Sequence, residues 1–418
     1  MSKLLYKALY FFKKTEYLLS MALDKQIIKR QLRHCQPKTI DLKKIKKILL
    51  VRNDGIGDMI ITTPFIRILA QHEFDVSVMS QKSALQIIQN NPHVKQTFIW
   101  DDRISGQELA AFEQNIQQQH FDLAIDMRYP IYFKHSPHKT IQSYYFGAKY
   151  NIGWNKSAFP YFDLSIKHYT RRGHYITLIQ KFLTAFNIHE TDLHYEFFPS
   201  NQATKAAHTF VNQLREKAAG APIIILNPYT GHHRRDMSLE QIKTVIEQLT
   251  LHYPQCQIIA IGIQDRIKKL ISVLQRPNVV YFNSATIMDV VPLIEASDLV
   301  ISPDTSIVHL VAAFQKPLVA LYASGRRTAP SISTPKNRIK EKYHETVDEA
   351  RAHFFDLPNV KKGVRPKGKM LLVEGSFGPN NKNAIQLKNY THQLSEIPAQ
   401  SIAEAADRLL IQHGFSTQ

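Results

Sequence analysis

Three short segments of this chain place carboxylate, hydroxyl, imidazole and guanidinium groups where a loop could do chemistry. The first, Val51-Arg52-Asn53-Asp54-Gly55-Ile56-Gly57-Asp58-Met59, follows an apolar run and precedes a helical pattern. Its two glycines allow a tight turn from strand into helix, and Asp58 falls at the helix start. A carboxylate there either caps the helix or serves as a general base toward a cleft, and the residues alone leave both readings open. A dinucleotide fingerprint would need a third glycine where Ile60 stands, and the Gly-Lys-Ser/Thr of a phosphate-binding P-loop is absent.

The second segment, Ser302-Pro303-Asp304-Thr305-Ser306-Ile307-Val308-His309, directly follows the apolar run Leu299–Ile301 and opens a helix. The free N–H groups of Thr305 and Ser306, reinforced by the helix dipole, suit an anion. Asp304 would repel a phosphate but can accept hydrogen bonds from sugar hydroxyls. His309 lies four residues beyond Thr305 on the same helical face, either as a core histidine pinning the loop or as a catalytic group. The third segment, Asn227-Pro228-Tyr229-Thr230-Gly231-His232-His233-Arg234-Arg235, follows another apolar run. Arginine can grip a diphosphate with two parallel hydrogen bonds; the alternative is a solvated basic loop.

Other chemistries find little support. There is no Asp-x-Asp, and His189 and His194 are five apart, not the four of a zinc-binding helix, so no metal site is expected. No GxSxG or CGxC nucleophile signature is present. Cys35 and Cys256 are the two cysteines, too few for a disulfide scaffold, which fits a reducing cytoplasm.

These segments need a scaffold, and 418 residues imply two domains with additional segments. With 44% hydrophobic and 21% charged residues the chain is globular in composition. Its net charge of +18 is uneven: residues 1–47 hold 13 Lys/Arg and 3 Asp/Glu, which is +10, leaving +8 for the rest. Lysines interrupt every apolar stretch of this leader, so it is neither a signal peptide nor a membrane span. Read as a helix, Leu4, Leu5, Ala8, Leu9 and Phe12 face one way and Lys3, Lys7 and Lys14 the other. That suits an interfacial helix on an anionic membrane, or a basic helix packed on the body or another subunit. Nucleic acid is not expected as a partner, because no recognised module follows.

From Lys47 onward, apolar runs alternate with helical spacing. Strands are predicted at Ile48–Arg52, Val76–Met79, Thr97–Trp100 and Leu123–Asp126, with residues 128–170 irregular. The rhythm restarts after Pro199, with strands at Ile223–Leu226, Gln257–Ile261, Val279–Phe282, Leu299–Ile301 and Leu318–Leu321. Such alternation gives parallel sheets covered by helices, whose ligands bind beyond the carboxyl ends of the strands. Residues 323–395 break the pattern, apart from a strand-like Met370–Val373, and Ser401 is expected to cap a last helix, Ile402–His413. The implied division is a basic leader (1–46), a first domain (47–215), a second domain (216–395) with its basic insertion, and a C-terminal helix (396–418).

At these places the sequence resembles the GT-B glycosyltransferases of family 9, the bacterial ADP-heptose:lipopolysaccharide heptosyltransferases. Ile48–Ala70 resembles the family's opening strand–Gly-Asp–helix unit, Leu226–Leu239 its phosphate loop, and Ala296–Tyr322 its donor-sugar motif. Phe121–Arg128, Phe146–Trp154 and His174–Ile188 follow in the family's order. The resemblance implies two doubly wound Rossmann-like domains facing a central cleft, with the last helix crossing back onto the first domain. It implies an inverting, metal-independent transfer of heptose from ADP-heptose to a lipopolysaccharide inner core, with the nucleotide sugar as substrate and no cofactor. Asp58 matches the base, Thr230 and Arg235 the diphosphate grip, Asp304 the sugar carboxylate, and Thr305, Ser306 and His309 the rest of the donor motif. Arg128, Lys134 and His138, after the fourth strand, are candidate contacts to an anionic lipid-linked acceptor, or else part of a solvated loop. The expected location is cytoplasmic, peripheral at the inner face of the inner membrane. The family usually has Lys where Arg235 stands, then an aromatic and a proline; here Asp236, Met237 and Ser238 follow. Ser306 stands where glycine is usual, and Ala323-Ser324-Gly325-Arg326-Arg327 replaces a glycine- and proline-bearing loop. Transfer to a protein or another glycan, nucleotide-sugar epimerisation, and an inactive carbohydrate- or membrane-binding relative are the competing expectations.

Overall fold

The structure is a computed structural model describing residues 15–16, 19–20, 22–52, 55–128, 136–168, 174–231, 233–323, 378–389 and 393–417. The apolar face expected over Leu4–Phe12, Lys134, and the strand expected at Met370–Val373 lie outside the described residues.

The first half forms a six-stranded, wholly parallel sheet in the order β3-β2-β1-β4-β5-β6. Its strands are β1 (Lys47–Val51), β2 (Asp75–Ser80), β3 (Gln96–Ile99), β4 (Leu123–Asp126), β5 (Tyr150–Trp154) and β6 (Leu164–Ile166). Helix α1 (Ile56–Gln71) follows β1, α2 (Gly106–Gln117) follows β3, and α3 (Ile176–Ala185) closes the half. The central strands read as unbroken apolar runs because helices cover both faces of the sheet: Ile48, Leu49, Leu50 and Val51 are all fully buried. β5 and β6 correct the irregular region expected over 128–170. β5 carries Asn151 and Gly153 between Tyr150, Ile152 and Trp154 rather than an unbroken apolar run. Gly153 is required there, because a Cβ would stand 2.8 Å from Cε1 of Phe162.

The second half repeats the winding, with strand order β12-β11-β10-β7-β8-β9, again wholly parallel. Helix α4 (Asn201–Lys217) leads into β7 (Ile223–Leu226), followed by α5 (Leu239–His252) and β8 (Gln257–Ala260). Then come α6 (Gln264–Leu274), β9 (Val279–Tyr281), α7 (Val291–Ala296), β10 (Leu299–Pro303), α8 (Ser306–Ala313) and β11 (Leu318–Ala323). Edge strand β12 (Ala384–Asn389) and helix α9 (Ala399–Gln412) complete it. Caps set the helix starts: Ser200 Oγ accepts from Ala203 N, while Ser238 and Gln241 form a reciprocal capping box.

Three expectations are corrected. α4 packs on α7 and β7, so it belongs to the second half and the division falls before residue 201, not at 215. The last helix starts at Ala399, after Pro398 and not after a Ser401 cap. It does not cross back: α9 lies along α5 and against the second sheet. Its Ile402, Ala406, Leu409 and Leu410 complete the cluster around Ile242, Leu249, Ile258 and Leu299, and Tyr253 donates to Asp407 at 2.8 Å.

The two halves share apolar material. One core cluster runs from Ile48, Leu50 and Val76 through Ile60 and Ile61 of α1 to Val308 and Val311 of α8 and Ile225 of β7. A Gly153→Ala substitution should cost about 1–3 kcal/mol through overpacking against Phe162, to be read as a lower urea midpoint with an unchanged slope.

Candidate active site

Both sheets wind outward in two directions from a central pair of strands, β1 and β4 in the first, β7 and β10 in the second. Loops diverge at the carboxyl ends of such pairs and leave a crevice there. All three segments singled out above leave these strands: Arg52–Asp58 from β1, Asn227–Arg235 from β7, and Asp304–His309 from β10.

Asp58 lies in the first turn of α1, where Oδ2 accepts from Gly55 N at 3.0 Å. Capping does not exhaust the side chain, because Oδ1 accepts from Arg52 Nη2 at 2.9 Å. Asp58 keeps 25% of its side-chain surface exposed, whereas Arg52 keeps 1%. Arg52 is fixed on its other side by donation from Nη1 to the Met127 carbonyl and the Tyr175 hydroxyl, each at 2.9 Å, and its guanidinium stacks over the Tyr175 ring. A buried cation held this way needs an anion beside it, and Asp58 is that anion. Arg52 was missed as a site residue, although its place directly after the first strand was the available signal.

Opposite, the donor-type loops are tied to each other. Buried Asn227 donates from Nδ2 to Ser302 Oγ at 2.9 Å and to Thr305 Oγ1 at 3.1 Å, joining the ends of β7 and β10. Thr305 caps α8. Asp236 accepts from Thr230 N at 2.6 Å and from Arg266 Nη2 at 2.7 Å, and Arg266 stacks on Tyr229 with 3.9 Å to the ring centroid. Asn227, Asp236 and Arg266 therefore shape the loop and were not among the expected site residues. Arg235 Nη1 stands 3.8 Å from Asp304 Oδ2. Burial pushes the Asp304 carboxyl above the ordinary carboxylate range, and Arg235 partly opposes it.

His309 closes the gap between the halves. It is 5% exposed, and a Cβ on Gly57 would stand 2.9 Å from its Cδ2. The Asp304–His309 segment thus abuts the turn that carries Asp58. Burial first, then the neighbouring His174, lowers the His309 pKa to about 4, with Asp58 pulling the other way. The imidazole is neutral near pH 7, and its Nδ1 has no hydrogen-bond partner among the described residues.

The acceptor-side candidates are placed differently. Arg128 turns inward onto Asp126, with Nε–Oδ1 2.9 Å and Nη2–Oδ2 2.6 Å. Lys156 and Ser143 complete a buried network around that carboxylate. Burial alone would raise the Asp126 pKa; Arg128 and Lys156 outweigh it and hold the group well below the usual range. His138 stacks on Tyr145 at 3.8 Å and meets Glu113 at 2.6 Å. Among the described residues no group of three His, Cys, Asp or Glu side chains is arranged to hold a metal ion.

Two parallel doubly wound halves with a crevice between their switch points define a GT-B glycosyltransferase architecture. Solved structures agree in fold. A glycosyltransferase of family 9 from Veillonella parvula DSM 2008 matches with TM-score 0.62 and 15% identity over 88% of this chain and 97% of that one. The Escherichia coli heptosyltransferase WaaC with ADP matches with TM-score 0.56 and 15% identity over 87% and 99%. In sequence, an Escherichia coli (strain K12) protein provisionally named lipopolysaccharide heptosyltransferase 4 is 23% identical over 302 residues, 68% of this chain and 77% of that protein. The model of glycosyltransferase family 9 (heptosyltransferase) matches residues 109–351. The chain belongs to that family.

A histidine held neutral when folded, but free to protonate when unfolded, contributes stability that is complete above its ordinary value of 6.5. That stability is lost as the pH falls from there through the folded value of about 4. For His309 the loss is on the order of 3 kcal/mol. His168, also buried and lowered to about 4, acts in the same window. His309→Gln should therefore flatten, without abolishing, the drop in urea midpoint between neutral and acidic pH.

Proposed function

We propose that the chain transfers a heptose from ADP-heptose, with inversion and without a metal, onto a lipopolysaccharide inner-core acceptor. The observation that carries this reading is a partly exposed carboxylate, Asp58, fixed by a buried arginine and abutted by the donor-type segment of the other half. In the proposed reaction Asp58 takes the proton of the acceptor hydroxyl as its oxygen bonds to the anomeric carbon. The bond from that carbon to the diphosphate oxygen breaks, and the nucleoside diphosphate leaves with the electron pair.

Arg235 and the amides of Thr305 and Ser306 meet the negative charge that builds on the diphosphate. A fixed charge or dipole needs no reorganisation as the transition state forms. Asp304 accepts from the sugar hydroxyls, and Thr230 lines the diphosphate through its side chain, since Asp236 already holds its N–H. Support for the donor is the ADP bound in the WaaC structure; support for the acceptor is the name of the Escherichia coli sequence relative. On the acceptor side, the proposed contacts are His138 and Lys134, with Arg128 shaping the end of the fourth strand behind them through its pair with Asp126.

Asp58→Ala should lower the transfer rate by roughly 10²–10⁴-fold, the usual contribution of a general base, while calorimetry shows donor affinity unchanged. Equal rates for variant and parent would remove Asp58 from the reaction. Titration against a panel of nucleotide sugars, followed by assays with delipidated core and with protein acceptors, tests the donor and acceptor separately. Donor turnover without any acceptor would favour epimerisation instead.

A further inference from the structure

Residues 22–31 form a helix ahead of β1, and its two sides differ. Asp24, Ile28 and Leu32, four apart, are buried at 5%, 4% and 1% exposure. The opposite side presents Leu19, Leu23 and Ile27, also four apart, at 66%, 63% and 38%. At 100° per residue these three share one stripe, and Arg30 projects between Leu19 and Leu23 with Arg33 and Lys29 along one flank. All three basic residues are exposed. Among the described residues, other exposed large apolar side chains such as Leu251 and Ile263 lie far apart in the sequence.

The helix is rigidly tied to the half that carries Asp58. After it, Lys38 N donates to Asp163 Oδ1 at 2.7 Å and Lys38 Nζ to the Lys149 carbonyl at 2.9 Å. The chain then passes through the Leu42–Lys44 turn into β1, which Arg52 directly follows. No helix among the described residues is long and apolar enough to cross a membrane.

We propose that this outer face docks on an anionic lipid surface, with Leu19, Leu23 and Ile27 entering the headgroup boundary and Lys29, Arg30 and Arg33 meeting lipid phosphates. A membrane takes up both parts of the face, since apolar burial and attraction to anionic lipid act together on an interfacial helix. A second copy of the chain fits it poorly. Two such faces related by a twofold axis would bring like charges together, and one narrow stripe falls well short of the roughly 800 Å² per partner of a stable interface. One acid, Glu16, shares the azimuth of the stripe. The inference stands whichever sugar and acceptor the enzyme uses.

The test is flotation of the full chain with vesicles of phosphatidylcholine alone, or mixed with phosphatidylglycerol, at low and high salt. The parent should float with the mixed vesicles only, and less so at high salt. Leu19→Glu with Leu23→Glu should weaken binding at least about tenfold, the effect of failing to bury one leucine. Lys29→Glu with Arg30→Glu should do the same, and both pairs should keep the parent's melting temperature and its turnover of a soluble acceptor. Parent-like binding by both pairs would place the contact elsewhere in the chain and overturn the proposal. So would a parent that floats with neither vesicle, or one that elutes as a dimer which the leucine variants dissociate.

Discussion

The imidazole of His309 rests on Gly57 with no space for a side-chain carbon between them, and this contact sets how closely the halves approach. A side chain at position 57 would force the His309 ring to shift from its place. The contact also explains why the histidine is neutral. A charged imidazole so deeply buried would lack solvent, and His174 nearby makes a second positive charge still less favourable. Behind the contact, Ile60, Ile61, Val308 and Val311 belong to one fully buried apolar cluster, so the two halves are joined there through hydrocarbon.

Each side of the crevice is stiffened by a small polar network. On the Asp58 side the Met127 carbonyl accepts from Arg52, Tyr175 and Trp154 together, which anchors the end of β4 to the end of β1. On the other side Asp236 is a hub, accepting from both Thr230 and Arg266.

Much of this was legible in the sequence because parallel strands are buried on both faces, so Ile48–Val51 and Ile223–Leu226 appear as plain apolar runs. β5 was hidden by Asn151 and Gly153, the latter chosen for the approach of Phe162 rather than for strand propensity. β12 was hidden because an edge strand needs little apolar content: Gln386, Lys388 and Asn389 sit half-buried beside β11. The three motifs could be placed because strand ends and glycines mark them. What they touch could not be read, since Arg52–Tyr175 and Asn227–Thr305 join positions far apart in the chain. Arg128 illustrates the opposite error. Its position after a strand suggests an exposed side chain, but it is drawn inward by an aspartate two residues earlier, a pairing that depends on the bend of the backbone.

Arg235 and Asp304 face each other across 3.8 Å, and in the proposed reaction each has a different destiny, one toward phosphate and the other toward hydroxyl. A nucleotide lacking its sugar would take the guanidinium and strand the carboxylate, already reluctant to ionise. On that proposal the two ends of the donor are recognised as a unit, and a nucleotide without its sugar would satisfy only one of the two groups.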